Sequence, residues 1–213
     1  MGGMFTYSTF NRDISDWNTV KVKDMSWMFC NSIFDSDISS WNVSSVEDMT
    51  GMFYKSQFNG DISQWDVSGV KIMDRMFEGS IFNKDISMWD VSNVKNMSQM
   101  FRYSIFNRDL TDWNTVKVTN MSSMFAYSKF NSDISNWDVS AVETMAYMFY
   151  STEFNKPLSN WDISAVMNME GMFYYSKFNQ DLSNWYISKD TVTDKMFNNC
   201  PIDRENKPHK KRK

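Results

Sequence analysis

The sequence has very little histidine, glycine and cysteine. Its single histidine, His209, lies near the end of the 213 residues, which argues against acid–base or metal chemistry built on imidazole. Seven glycines are few for a protein that cradles phosphate in glycine-rich loops. We therefore predict a protein that is not an enzyme and that uses no cofactor and no metal ion.

The sequence also lacks a disulfide framework and long apolar runs. Cys30 and Cys200 are too far apart along the repeat described below to pair within one chain. The first residues have no basic and then apolar pattern of an export signal, and no apolar run approaches the roughly 18–20 residues that span a bilayer. We therefore expect no membrane span, and a location inside a cell rather than secretion.

Charge is distributed unevenly along the chain. The net charge is −4 overall, with +4 in residues 201–213 and −8 in the rest. An acidic body does not offer the basic face that collects nucleic-acid phosphates. The tail could be a nuclear-localisation signal, an arm for nucleic acid or an acidic membrane, or a solubilising end. Its candidate binding residues are Lys207, Lys210, Lys211, Arg212 and Lys213.

A strict 24-residue repeat organises the chain. Tryptophan marks the period at Trp17, Trp41, Trp65, Trp89, Trp113, Trp137, Trp161 and Trp185. Columns of Phe, Ile or Leu, and Met keep the same period without an insertion. Self-similarity of this kind is the sequence signature of a stacked repeat protein.

The spacing inside one unit predicts its local structure. Over residues 134–139 the apolar spacing is that of a leucine-rich repeat, and its alternation is typical of a strand. From Val142 the apolar residues recur at i, i+3, i+6 and i+7, which is one face of a short helix. We therefore predict an α/β repeat solenoid of eight 24-residue coils, leucine-rich-repeat-like, each with a short parallel strand and a short helix. A right-handed β-solenoid without helices is the alternative.

The domain boundaries follow from the columns. We place the solenoid at residues 1–200, with its last repeat as a C-terminal cap, and a basic tail that we expect to be disordered at residues 201–213. Residues 1–5 match residues 49–53 position for position at their Met, Gly and Phe, so the sequence begins in the middle of a repeat. An uncapped N-terminal end of this kind could support self-association.

The string Phe-Asn-x-Asp-Ile-Ser-x-Trp-Asp-Val-Ser-x-Val-x-x-Met-x-x-Met-Phe, seen at residues 130–149, carries a family resemblance. It resembles the repeat of the BspA-type leucine-rich-repeat surface proteins over roughly residues 1–200. In mycoplasmas that repeat occurs in lipoprotein-associated proteins of unassigned function, and it also occurs in other bacteria, protists and large DNA viruses. The resemblance implies a non-enzymatic surface or interaction module, with adhesion as the usual suggestion, and carries over no catalytic residue. Since the sequence shows no export signal, an intracellular or viral member of the family, the latter located in a virus particle, fits it better than a secreted one.

The best candidate for a binding surface is the position that follows each tryptophan, which we call the outer ladder. Neighbours such as Asp66 and Asp90 should stand roughly 5 Å apart and repel, so a partner that neutralises them would be stabilised. A solvated polar face is the alternative. The ladder consists of Asn18, Asn42, Asp66, Asp90, Asn114, Asp138, Asp162 and Tyr186.

Other columns have a structural and a functional interpretation. Aspartates two residues before Ser or Thr, such as Asp133, predict Asx-turns, with a calcium ladder as the alternative. Met pairs such as Met121 and Met124 predict core packing, with Cu(I) ligation as the alternative. The tryptophans predict core stacking rather than platforms for sugars or bases, and Met88 is a candidate contact residue on the polar face.

These features favour a scaffold that binds another protein, of unknown identity. A structural component of a larger assembly, such as a large-DNA-virus particle, is the alternative. Nucleic-acid binding or nuclear targeting would rest on the basic tail alone.

Overall fold

The computed structural model describes residues 1–210, and equivalent positions of successive 24-residue units lie beside one another in it. Backbone hydrogen bonds join each coil to the next. The N–H of Tyr147 donates to the carbonyl oxygen of Glu170 over 2.7 Å, and that of Phe149 donates to the carbonyl oxygen of Met172 over 2.9 Å. The predicted stacking of repeats is therefore present, and each coil is stabilised by its neighbours.

The predicted short helices are wrong, because residues 1–210 contain no helix. Within the segment that begins at Val142, amide groups alternate between two kinds of partner. The N–H of Met148 donates to the carbonyl of Met145 within its own coil, at 3.1 Å, while Tyr147 and Phe149 on either side bond to the next coil. A helix needs every amide for its own ladder of bonds to the fourth residue back, and here every second amide leaves the coil.

Backbone dihedrals give the second reason. Tyr147 and Ser151 have φ values of 58° and 55°, in the left-handed region, whereas a helix needs φ near −63°. Left-handed residues end each short turn and start the next one. The same conformation recurs at equivalent positions, for example at Trp27, Gly51, Arg75, Gln99, Ser123, Gly171 and Lys195.

The predicted strand in every coil is also wrong. Where alternation indicated a strand, the N–H of Trp137 turns back to the carbonyl of Ile134, at 3.1 Å, and the N–H of Val142 turns back to that of Val139, at 2.9 Å. Outside the last coil the parallel pairing is reduced to isolated contacts, which run from Asp24 with Asp48 to Asn168 with Val192. The coils are therefore series of turns, which replaces both the α/β solenoid and the β-solenoid.

Two short strands close the described part of the stack. Strand β1, Tyr186–Ile187, pairs in parallel with strand β2, His209–Lys210. The segment between them packs on the stack, because Ile202 is buried and the N–H of Asp203 donates to Oδ1 of Asn179 at 3.2 Å. The strands pair Tyr186 with His209, which is one residue short of the 24-residue repeat. Described residues beyond residue 200 therefore contact the last coil, and the domain boundary predicted at residue 200 stays a prediction.

The core is the set of columns that the sequence marks as apolar. Met, Phe, Trp, Val and Ile side chains of the inner coils are almost completely buried. Phenylalanine rings stack along the axis, with 5.7 Å between the ring centres of Phe77 and Phe101. The burial of so many apolar side chains between coils supplies the main stabilisation of the stack.

Candidate functional site

The outer ladder lies on the surface, but its members stand in turns rather than on strands. All of them are exposed. One carboxylate oxygen, Oδ1, of Asp138 accepts the N–H of Ser140 at 3.0 Å and its hydroxyl at 2.6 Å. Asp162 accepts the N–H of Ser164 at 3.0 Å in the same way. The second oxygen, Oδ2, of each has no hydrogen-bond partner among residues 1–210 and is free for a ligand.

Asparagine members of the outer ladder make the same turn without the charge. Oδ1 of Asn42 accepts the N–H of Ser44 at 3.1 Å, and Oδ1 of Asn114 accepts that of Val116 at 3.3 Å. Asn18 does so for Val20 at 3.2 Å. Charge at this position therefore varies from coil to coil while the backbone conformation stays constant.

Hydrogen bonds favour the ionised form of three ladder aspartates. The serine two residues further on donates to each carboxylate, and this lowers the pKa of Asp90, Asp138 and Asp162. The neighbouring Asp162 raises the pKa of Asp138 by a smaller amount. Aspartates of the ladder lie on two pairs of adjacent coils, at Asp66 with Asp90 and at Asp138 with Asp162.

Tyr186 and Met88 differ from the rest of the polar face. Tyr186 belongs to β1, is 62% exposed and lies beside His209, with 6.3 Å between their ring centres. Met88 is 83% exposed. The two residues lie four coils apart in sequence register, so they do not form one patch.

The second aspartate column forms the predicted Asx-turns. Oδ1 of Asp133 accepts the N–H of Ser135 at 2.9 Å, and Asp85 does the same for Ser87 at 2.9 Å. These bonds lower the pKa of both carboxyls. Within residues 1–210 no group of three or more His, Cys, Asp or Glu side chains is arranged to hold a metal ion. The column therefore has a structural role at the start of each turn.

The methionine and tryptophan columns lie in the core, as predicted. Met121 and Met124 are fully buried, and Trp137 is 3% exposed. The indole Nε1 of Trp137 donates to the carbonyl oxygen of Leu110 in the preceding coil, at 2.9 Å. This use of the indole explains why tryptophan, rather than phenylalanine, recurs at this position.

Sequence analysis missed an asparagine column that bonds coil to coil. Oδ1 of Asn107 accepts the backbone N–H of Asn131 at 2.8 Å, and Asp35 does the same for Asn59 at 2.8 Å. The signal was visible in the sequence as an Asn or Asp directly after each repeating Phe. The acceptors are Asn11, Asp35, Asn59, Asn83, Asn107, Asn131, Asn155 and Asn179.

Sequence analysis also missed a patch of tyrosines, which we call the tyrosine surface. The rings of Tyr103 and Tyr127 stack with centres 4.5 Å apart, and Tyr150 packs edge-on against Tyr127 at 4.7 Å. No member belongs to the hydrophobic core. The tyrosine surface consists of Tyr103, Tyr127, Tyr147, Tyr150, Tyr174 and Tyr175.

Two glutamates, Glu170 and Glu78, bind aromatic or basic side chains of neighbouring coils. The hydroxyl of Tyr147 donates to Glu170, and this hydrogen bond raises the pKa of Tyr147 to about 12. Glu78 lies between Arg75 and Arg102, at 3.4 and 3.5 Å, and its burial raises its pKa. Both groups are used in contacts within the fold.

Cys30 is not set up as a nucleophile. It is 5% exposed, its sulfur accepts a hydrogen bond from the side-chain amide of Asn31 at 3.2 Å, and burial raises the pKa of its thiol. A reactive cysteine needs a lowered pKa and access to its substrate.

The basic tail is described only in part. The ammonium group of Lys207 lies 5.7 Å from the centre of the Phe197 ring. The backbone of Lys210 pairs with Ile187 through β2. The remaining candidate tail residues, Lys211, Arg212 and Lys213, lie outside the described residues.

The first coil carries partly exposed aromatic residues. Phe5 and Phe10 pack against the core without being fully buried, and Trp17 is 37% exposed. Their rings continue the stack, with 5.8 Å between the centres of Phe5 and Trp17.

Within residues 1–210, no helix is long and apolar enough to cross a membrane.

Comparison with known proteins places the chain in a family. A family described as "Mycoplasma protein of unknown function, DUF285" matches residues 1–79, 33–128 and 103–209. Searches of curated proteins and of solved structures gave no match. Since the three overlapping matches together span nearly the whole sequence and each takes in several repeats, the chain belongs to the DUF285 family.

Proposed function

We propose that this chain is a non-enzymatic repeat scaffold that binds another protein through the outer ladder. The observation that carries the proposal is the free carboxylate oxygen on each of Asp66, Asp90, Asp138 and Asp162, whose other oxygen holds the turn. These charges are exposed at fixed positions on adjacent coils. A stack bonded from coil to coil presents them without a large loss of entropy on binding.

The chemistry of the ladder selects a basic partner. Asp138 and Asp162 on adjacent coils are like charges close enough for Asp162 to raise the pKa of Asp138, and this repulsion is unfavourable until a cation lies between them. Lysine or arginine side chains of a partner protein would relieve this repulsion and bond to the free oxygens. The resemblance of the repeat to the BspA-type surface proteins supports adhesion as the biological setting.

The way the chain uses its polar groups favours binding over catalysis. The aspartates that sequence analysis singled out hold turns, Cys30 is buried, and Glu78 is paired with two arginines. Every buried polar side-chain atom among residues 1–210 has a hydrogen-bond partner. A catalytic site usually leaves such groups poised for a substrate.

The test replaces charge without changing the turn. Asp66→Asn, Asp90→Asn, Asp138→Asn and Asp162→Asn together remove four charges, and the turn should survive because Asn42 and Asn114 make it already. The matched control makes the same change at Asp37, Asp61, Asp85 and Asp133 of the Asx-turn column. Partners retained from a host lysate are identified by mass spectrometry with wild type and both variants.

We expect a partner that binds wild type and the control but is lost with the ladder variant, and whose binding weakens as salt is raised. Binding that both variants keep, or that both lose equally, would overturn the proposal. Equal loss would mean that total charge, and not the ladder, determines binding.

A structural role in a larger assembly is the second candidate, and the exposed tyrosine surface favours it. Such an assembly, for example a large-DNA-virus particle, would need contacts between chains and no separate ligand. Association of the purified chain with itself, in the absence of any partner, would support this role.

Nucleic-acid binding or nuclear targeting through the tail is tested separately. Lys210→Gln, Lys211→Gln, Arg212→Gln and Lys213→Gln in the full chain leave residues 1–209 unchanged. Salt-sensitive binding to DNA or RNA that disappears in this variant would support the tail as the binding segment.

A further inference from the structure

Contacts within the fold do not explain why the tyrosine surface is exposed. Tyr103 is 49% exposed, Tyr127 is 36% exposed and Tyr175 is 53% exposed. Exposed tyrosines that lie together are unusual on a monomer and are frequent at the centre of protein interfaces. The surface covers four successive coils and lies apart from the outer ladder.

The rings form a continuous row along the stack. Tyr103 packs on Tyr127, Tyr150 packs on Tyr127, and Tyr150 lies 6.4 Å from Tyr175 between ring centres. Tyr174 lies beside Tyr175 at 4.5 Å. Because neighbouring rings hold one another, little side-chain entropy is lost when the row is covered.

Next to this row in sequence, two adjacent coils carry opposite charges at the same register position. Two residues after the second left-handed position of successive coils stand Ile105, Lys129, Glu153 and Lys177. Ile105, Lys129 and Lys177 each follow a tyrosine of the row, and Glu153 follows Ser151. Lys129 and Glu153 occupy the same register position one coil apart, and both are exposed. Within residues 1–210 neither side chain takes part in a hydrogen bond or an ion pair.

We propose that the tyrosine surface binds a second copy of this chain, with the two stacks antiparallel. A two-fold axis across the stacks, midway between the coils of Lys129 and Glu153, places each Lys129 opposite Glu153 of the second copy. The same operation places Tyr103 opposite Tyr175 of the second copy. A closed two-fold dimer needs a surface of this kind, which is complementary to itself.

The charges also exclude the parallel arrangement. If the two stacks ran in the same direction with coils in register, Lys129 would face Lys129 and Glu153 would face Glu153. Like charges opposite each other in an interface are strongly unfavourable. The charges of Lys129 and Glu153 therefore favour the antiparallel orientation of the two stacks.

The tyrosine surface is short along the axis of the stack. Four coils at about 4.8 Å each extend about 19 Å, so the two copies would share only a small contact. We therefore expect a reversible dimer that forms as concentration rises. This self-association does not depend on the outer ladder and goes beyond the proposed binding of another protein.

The test is sedimentation equilibrium of the full chain over a series of concentrations. Lys129→Glu alone and Glu153→Lys alone should each weaken dimerisation at least about tenfold, because each places like charges opposite each other. The chain with both substitutions, and an equimolar mixture of the two single variants, should dimerise as wild type does. Lys95→Glu, an exposed charge reversal at another register position, is the control and should leave dimerisation unchanged.

A second variant tests the aromatic row. Tyr127→Ser should also weaken dimerisation, and serine is compatible with the backbone because Ser151 has φ 55° at the same register position. Thermal unfolding of each variant verifies that the stack is intact. A wild-type chain that stays monomeric at all concentrations, or a dimer that charge reversal does not weaken, would overturn the proposal.

Discussion

The indole Nε1 of Trp41 donates a hydrogen bond to the backbone carbonyl oxygen of Ile14, over 3.0 Å and across the boundary between two coils. The same bond recurs along the stack as far as Trp185 and Leu158, at 3.0 Å. A phenylalanine could fill the space but could not make the bond. The tryptophan column therefore fixes the register between coils as well as filling the core.

Replacement of an inner tryptophan should destabilise the stack by more than replacement of the first one. Trp113→Phe removes the bond to the carbonyl of Ile86, at 3.1 Å, and leaves a small cavity. The free energy of unfolding should fall by about 3 kcal/mol, as measured by urea denaturation. In Trp17→Phe the fall should stay below about 1 kcal/mol, because Trp17 is partly exposed and its indole has no bond partner among residues 1–210. Equal losses would contradict the role of the indole bond.

The asparagine column gives a prediction with its own control. Asn107→Ala leaves the N–H of Asn131 without its acceptor, so the free energy of unfolding should fall by about 1 kcal/mol. In Asn107→Asp the free energy of unfolding should fall by clearly less, because an aspartate can accept this bond. Asp35 already accepts the N–H of Asn59 at 2.8 Å in the same column. Urea denaturation of the two variants distinguishes these results. An aspartate as harmful as alanine would show that the side-chain acceptor is not what stabilises this position.

Gly171 should be intolerant of a side chain because of Tyr147. A Cβ atom at residue 171 would lie 2.4 Å from the Tyr147 ring, and φ there is 55°. Gly171→Ala should therefore lower the unfolding temperature, and Tyr147→Ala in the same chain should recover part of the loss by removing the ring. Gly79→Ala is the matched control, since its φ is 65° but the nearest atom is Lys55 Cγ at 3.0 Å, in a flexible side chain. A loss in the control as large as in Gly171→Ala would assign the effect to the backbone alone.

Much of the fold could be predicted from the sequence, but the form of the backbone could not. The period, the buried columns such as Met148, and the Asx-turns such as that of Asp133 follow directly from residue types and spacing. The i, i+3, i+6, i+7 spacing fits a helix, but it also fits successive short turns that each direct one apolar side chain inward. The left-handed conformation of Tyr147 and Ser151, and the bonds of alternate amides to the next coil, distinguish the two, and neither residue is a glycine. The column did hold a signal, because Gly51 and Gly171 stand at the register position of Tyr147.

The candidate surfaces were predictable to different degrees. Exposure of the outer ladder follows from its place beside a buried tryptophan. The tyrosine surface does not follow from any single column, because Tyr127 and Tyr150 occupy different register positions and meet only through the path of the chain. The sequence shows which columns exist, and the fold decides which of them become neighbours.

Acid should destabilise the stack through its Asx-turns. The N–H and hydroxyl of a Ser or Thr stabilise the ionised carboxyl in the folded chain, so its pKa lies below the value of about 3.9 in the unfolded chain. This stabilisation is complete above about pH 4 and is lost as the pH falls through the lowered values. The carboxyls concerned are Asp13, Asp37, Asp61, Asp85, Asp109, Asp133 and Asp181.

Urea denaturation at a series of pH values measures this effect. Asp37→Asn, Asp85→Asn and Asp133→Asn together should flatten the decrease in the free energy of unfolding toward low pH. Glu78 acts in the opposite direction, because burial raises its pKa, but it is a single group against a whole column. An identical pH dependence in wild type and variant would contradict the contribution of these turns.

Each coil is a series of turns whose amides bond to the next coil. The most direct test of this structure is an NMR measurement of a scalar coupling across one of these hydrogen bonds. The N–H of Tyr147 donates to the carbonyl oxygen of Glu170 at 2.7 Å, so a coupling between the Tyr147 nitrogen and the Glu170 carbonyl carbon is expected. A helix over the same segment would instead bond the Tyr147 amide to the carbonyl of Glu143, four residues back. A coupling from Tyr147 to Glu143 would contradict the stack of turn-built coils.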